Sequence, residues 1–234
     1  MIILATALII PERRDEQMLT RLDESNVRKM IIYIADKIIE NKAFLTEIDS
    51  AIGDGDHGIG MTLGMQKVKD KMSVFADSGN AYDLFALAGK TMLMSMGGAS
   101  GVIFGSLYLE GSKNAGPAAE LTAEDLFLMM KKSLEVIQER GKAQMGDKTM
   151  VDALQPAVNA MNRSYADGLL PMLQAAEKSA KQGMEDTKKY QAKYGRAKSL
   201  MERSIGHQDA GATSVWVIIR SMREFVEQED SIST

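Results

Sequence analysis

The segment Glu47-Ile48-Asp49-Ser50-Ala51-Ile52-Gly53-Asp54-Gly55-Asp56-His57-Gly58 gathers four acids and three glycines, and no Lys or Arg lies between Ala43 and Gln66. At 100° per residue, Asp49, Asp54 and Asp56 would splay around a helix rather than share one face. The glycines make a helix costly there and let the backbone fold tightly. In a loop the three carboxylates can converge, and converged carboxylates repel unless a hard cation joins them. Oxygen-only ligands point to Mg²⁺ or Ca²⁺ rather than zinc. An EF-hand counted from Asp54 fails, because Ile59 stands at its required glycine and Met65 at its closing Glu. Magnesium, with positions left for water or phosphate, fits better. The plainer alternative is a solvated acidic turn whose aspartates cap helices.

Three further breaks carry polar chemistry. Gly97-Gly98-Ala99-Ser100-Gly101 lies between two apolar stretches. It would expose backbone N–H groups at a helix start, with Ser100 as an added donor, or else form a tight helical corner. It is not a nucleophile elbow, since Val102 stands at the closing glycine. Gly141 to Thr149 nearly spells a phosphate-binding P-loop, but Asp147 is one residue too many and a helix rather than a strand precedes it. The stretch Gly195 to Gly211 offers Arg196 or Arg203 to a phosphate. There, Asp209 is read as a cap of the last helix or as a ligand, and His207 as a structural histidine.

The elements that must position these loops read as helices. Aromatic residues are 6%, there are four prolines, and eighteen methionines favour and fill helical cores. Val27, Met30, Ile31, Ile34, Ala35 and Ile38 recur at helical spacing, so Glu24–Glu40 is predicted helical with Ser25 or Asn26 as cap. Further helices are expected over 62–74, from Asn80 or Asp83 to Met96, and over 102–110. A capping box at Thr122 to Asp125 opens another, running to about Arg140. The rest are 150–165, one long helix over 169–194 with Pro171 in its first turn, and 212–229. That is about eight helices and an all-α chain, with a frayed tail over 230–234.

The chain has 234 residues, no cysteine and two histidines, which excludes disulfides, thiolate zinc and cysteine nucleophiles. Its net charge of −4 argues against a nucleic-acid partner. Residues 1–10 are apolar but shorter than the roughly 20 residues of a membrane span, and lack a signal-peptide pattern. Residues 1–22 are therefore read as an N-terminal extension, 23–230 as one domain, and the protein as cytoplasmic with no membrane partner.

Taken together, the strings IGDGDHG, MGGASG, RGKAQMGDKTMVDALQPA and GRAKSLMERSIGHQDAGATS resemble, in order, the nucleotide-binding L subunit of dihydroxyacetone kinase. The resemblance spans Asn26 to Phe225. It implies an eight-helix antiparallel up-and-down barrel with ADP or ATP held by loops at one end. It implies that Asp49, Asp54 and Asp56 hold two Mg²⁺ ions gripping the nucleotide phosphates. His57, Gly58, Ile59 and Gly60 match its next phosphate-contacting stretch, and Ala99 and Ser100 its glycine-rich phosphate loop. Gly141 and Met150 match positions near adenine and ribose. Arg196 and the turn Asp209-Ala210-Gly211 match its closing segment. The chain departs from the family pattern at Ala210, often Pro, and at Gly60, often Asn.

The same resemblance implies phosphoryl transfer to dihydroxyacetone, which a separate K subunit holds on a histidine. In one branch of the family ATP is consumed. In the other, bound ADP is recharged by a phosphohistidine of a phosphotransferase-system M subunit, and the string ERSIGHQD looks more like this second branch. A homodimer stays open. The rival readings are the nucleotide domain of fatty acid kinases, whose loop usually reads D-G-D-T-G-x-N, and a non-catalytic helical adaptor.

Overall fold

The computed structural model describes residues 19–113 and 115–232. Asp23 ends a two-residue strand β1 (Leu22–Asp23) and caps α1 (Glu24–Glu40), its carboxylate accepting the Asn26 N–H at 2.7 Å. The cap is thus earlier than Ser25 or Asn26, because a cap must be extended and sit before the first helical turn. α2 (Lys42–Ser50) was not legible in the sequence: it is short and buries a single apolar side chain, Leu45. Then follow α3 (His57–Val74), α4 (Ala81–Ser95), α5 (Gly98–Ser112), β2 (Glu120–Leu121), α6 (Ala123–Gly141), α7 (Val151–Ser164), α8 (Leu169–Asp186) and α9 (Ala210–Ile232).

Each long helix packs on the next, from α1 and α3 through to α9, and α9 returns to pack on α1. The ring is closed: among the described residues the fold is an all-α barrel of eight long helices, with α2 as a ninth, short helix. Its core is apolar and rich in methionine, including Met30, Met61, Met65, Met92, Met130 and Met172. β1 and β2 pair antiparallel, Leu22 opposite Leu121. Both leucines are fully buried, so this two-residue ribbon ties the entry of α1 to the entry of α6. Residues 1–18 of the expected extension lie outside the described residues, while Leu22 belongs to the core. No described helix is long and apolar enough to cross a membrane.

Several boundaries differ from the sequence reading. α3 begins at His57 rather than near residue 62, running through Gly58, Gly60 and Gly64. Gly58 and Gly64 are buried where α2 and the Met96 side chain lie too close for a Cβ, so packing offsets their helix penalty. α5 begins at Gly98, not Val102. α8 stops at Asp186 instead of reaching Tyr194, continuing as a 3₁₀ turn Thr187–Lys189. There the Thr187 carbonyl accepts from the buried Lys148 ammonium at 2.6 Å, and its hydroxyl accepts the Asp209 N–H at 3.0 Å. The stretch expected to be irregular holds a 3₁₀ segment, Arg196–Ser204. α9 begins at Ala210 and runs to Ile232, so residues 230–232 are helical rather than frayed; Asp230 accepts the Leu19 N–H at 2.5 Å. Residues 233 and 234 lie outside the described residues. The capping box at Thr122 stands as read, with Thr122 and Asp125 each accepting the other's backbone N–H.

Candidate functional site

An up-and-down ring sends alternate helices in opposite directions, so α3, α5, α7 and α9 all begin at one end. Four helix N-termini therefore face one opening, each carrying about half a positive charge. His57, Ala99, Met150 and Ala210, at or beside these starts, line one cavity of about 990 Å³. Asp56 and Gly97 cap α3 and α5 without a side-chain hydrogen bond, which leaves first-turn N–H groups for an anion.

The acidic segment spans the corner between α2 and α3. Asp49 sits in the last turn of α2, not in the loop, while Asp54 lies in the turn and Asp56 at the cap of α3. One carboxylate oxygen from each lies within 4.8 Å of the others. Asp49 is aimed by the fold: its Oδ2 accepts the His57 N–H at 3.3 Å, and its other oxygen occupies the space a Cβ on Gly53 would fill. Burial raises the Asp56 pKa, and Asp54 and Asp49 add to the shift. Three convergent carboxylates, one of them reluctant to ionise, suit a divalent cation with oxygen ligands. Arg196 comes from the far end of the sequence to pair with Asp54 at 2.8 Å. The base that the local sequence lacks is thus supplied by the tertiary fold.

Part of the cavity wall is apolar, with Met96, Ile103, Phe104 and Met150. A polyanion at the acidic, N-terminal side and a flat apolar group against this wall would be accommodated together. Its volume is within the range of sites that enclose small ligands.

The sequence matches the DAK2 domain over residues 51–224. It is 39% identical over 181 residues to the ADP-binding subunit DhaL of the PEP-dependent dihydroxyacetone kinase of Escherichia coli, covering 76% of this chain and 86% of that one. It is 38% identical over 193 residues to the ADP-binding subunit DhaL of the PTS-dependent dihydroxyacetone kinase of Lactococcus lactis, covering 82% and 92%. The chain belongs to the DAK2-domain family of dihydroxyacetone kinase L subunits. It is a kinase-type phosphotransferase component. The fold agrees: the dihydroxyacetone kinase from C. freundii, solved in complex with AMP-PNP and Mg²⁺, superposes with a TM-score of 0.66 at 22% identity. That match covers 96% of this chain and 37% of the C. freundii chain.

In this DAK2 domain the cavity is lined by Asp49, Asp54, Asp56, His57, Ile59, Gly60, Ala99, Ser100, Gly141, Met150, Arg196, Asp209, Ala210 and Gly211. Gly58 is set back, buried against α2. The His57 ring is held against α9: its Nε2 lies 2.8 Å from Ser214 Oγ, and burial lowers its pKa against the pull of Asp49. Arg203 is exposed and does not line the cavity. His207 presents its ring to solvent and enters the framework through its backbone carbonyl, which accepts from Lys148. Sequence reasoning passed over Lys148 and Tyr194. Both line the cavity, and the one legible hint was a lysine inside the near-miss P-loop.

Asp209 caps α9, accepting the Ala212 N–H at 2.7 Å. Burial pushes its carboxyl up to about 7, with Asp152 adding to the shift and the Ala212 N–H and Lys148 opposing it. The folded chain thus keeps this proton to about pH 7, whereas an ordinary aspartate loses it near 3.8. The group's contribution to stability is present in acid and is lost as pH rises through the folded value. Asp209→Asn retains a capping oxygen and cannot ionise. Without nucleotide it is expected to melt above the wild type, by a margin that grows from about pH 5 to about pH 8. A margin independent of pH in thermal melts would show that the carboxyl charge is not its source.

Proposed function

We propose that the chain is the ADP-binding L subunit of a phosphoenolpyruvate-dependent dihydroxyacetone kinase. Asp49, Asp54 and Asp56 would hold two Mg²⁺ ions, which would neutralise charge on the nucleotide phosphates during transfer. The first-turn N–H groups of α3 and α5 and the Ser100 hydroxyl meet the phosphates. Met150 and the apolar wall take the base and ribose, with Gly141 beside them. Arg196 and the Asp209-Ala210-Gly211 turn close the site. Such a site has little covalent work to do: it aligns the transferred group and stabilises spread charge.

A K subunit presents dihydroxyacetone at the open end of the cavity, and the M subunit of a phosphotransferase system recharges ADP in place. The ADP-binding and PEP- or PTS-dependent character of the relatives supports recharging over consumption of ATP. The observation that carries the reading is the convergence of three carboxylates beside four helix N-termini in a cavity with one apolar wall.

The first test is to denature the purified chain and assay the extract for co-purified ADP. The second compares phosphoenolpyruvate-driven with ATP-driven phosphorylation of dihydroxyacetone in the presence of K subunit. Phosphorylation that requires phosphoenolpyruvate and the phosphotransferase proteins is expected. Turnover on ATP alone assigns the chain to the ATP-consuming branch, and absence of Mg²⁺-dependent nucleotide binding returns it to the adaptor reading.

A further inference from the structure

Between α8 and α9 the chain leaves the barrel, carries Arg196 out to Asp54, and returns. The neck of this loop is closed by three contacts. The Gly206 N–H donates to the Lys188 carbonyl at 2.7 Å, and the Asp209 N–H donates to Thr187 Oγ1 at 3.0 Å. The third is Lys148, from the α6–α7 link, whose ammonium donates to the carbonyls of Thr187 at 2.6 Å and of His207. One side chain thus grips both strands of the neck.

Lys148 is 2% exposed and stands at φ 61, a left-handed backbone that lysine rarely adopts. Burial lowers its pKa, against Asp209 and Asp152. A buried ammonium on a strained backbone costs free energy twice, and such features persist where a particular geometry is required. Further along the loop, Lys193 pairs with Asp147 at 2.7 Å and the Tyr194 hydroxyl donates to the Lys142 carbonyl at 2.9 Å. These contacts lead directly to Arg196. The exposed Arg196–Asp54 pair cannot by itself fix the loop, because such pairs contribute little.

We propose that Lys148 is a positioning residue that locks the neck of the α8–α9 loop, sets the place of Arg196 over the aspartates, and so governs how long nucleotide is retained. This rests on the nucleotide-binding reading above. It assigns to Lys148 an effect made through Arg196, not through contact with phosphate.

A double-mutant cycle on the full chain tests it. Release of a fluorescent N-methylanthraniloyl ADP in Mg²⁺ is followed by stopped flow for wild type, Lys148→Met, Arg196→Ala and the double variant. Lys148→Met keeps the volume and removes the donor, and should speed release about tenfold. Arg196→Ala should do the same, and the double variant should release no faster than Arg196→Ala alone. Equal acceleration by Lys148→Met in both backgrounds overturns the proposal, as does unchanged release in Arg196→Ala. Failure of the wild-type chain to bind the probe overturns the nucleotide reading itself and is seen before any variant is made. Should Lys148→Met not fold, Thr187→Val loosens the neck from the other side. It must then show the same acceleration and the same non-additivity with Arg196→Ala, or the proposal fails.

Discussion

Replacing Asp54 with asparagine is expected to weaken Mg²⁺-dependent ADP binding by more than about 100-fold while the helical fold remains. Losing a residue that merely supports a metal ligand already costs about 10–100-fold, and Asp54 is proposed as a ligand itself. Calorimetric titration of ADP with and without Mg²⁺ measures the loss, and unaltered affinity would remove Asp54 from the metal site. By sequence alone the same variant should also melt higher without nucleotide, since one of three converged carboxylates is gone. The structure changes that expectation. Asp54 is the carboxylate paired with Arg196, so relief of repulsion is offset by loss of this exposed pair. The apo melting temperature of Asp54→Asn should stay within about 2 °C of the wild type. Asp56→Asn should melt higher, because burial and both neighbouring acids disfavour the Asp56 charge.

Replacing Gly183 with alanine is expected to destabilise the barrel by about 1–3 kcal/mol, lowering the melting temperature by roughly 2–4 °C per kcal/mol. Pro156 lies inside α7 and has no N–H, so the Asp152 carbonyl four residues earlier has no helical donor there. Gly183 of α8 packs at that point: a Cβ would overlap the Asp152 carbonyl oxygen and lie 2.9 Å from Pro156 Cγ. The obstacle is backbone, which cannot swing aside as a side-chain tip would. The effect should also reach the cavity. The Asp152 carboxylate accepts the N–H groups of Gly146 at 2.6 Å and Thr149 at 2.7 Å, and so holds the link that carries Lys148 and Met150. Nucleotide affinity should therefore fall along with stability. Gly116→Ala is the control, since a Cβ there meets no atom within 4 Å; its effect should stay within about 0.5 kcal/mol. Equal melting temperatures for the two variants would contradict this account of the α7–α8 contact.

Much of the molecule was legible from local pattern. α1 ends where the periodicity of Val27 to Ile38 said it would, and Thr122 with Asp125 announced α6 through a cap whose chemistry is complete within four residues. The acidic string also announced itself, because carboxylates without local bases need an unusual partner. What one sequence could not show are effects whose second half lies far along the chain. Gly58 and Gly64 read as helix breakers until α2 and Met96 are packed against them. The segment after Asp186 reads as helix until Lys148 takes the Thr187 carbonyl. Asp54 reads as unbalanced until Arg196 arrives.

The residue string by itself determined which groups are available: oxygen donors, glycine corners and helices that bury one face. Tertiary structure decided where they meet. Closing an antiparallel ring of eight helices places four N-termini and the aspartates around one opening. A ring is a global property of every helix length and link, and no local window of sequence contains it.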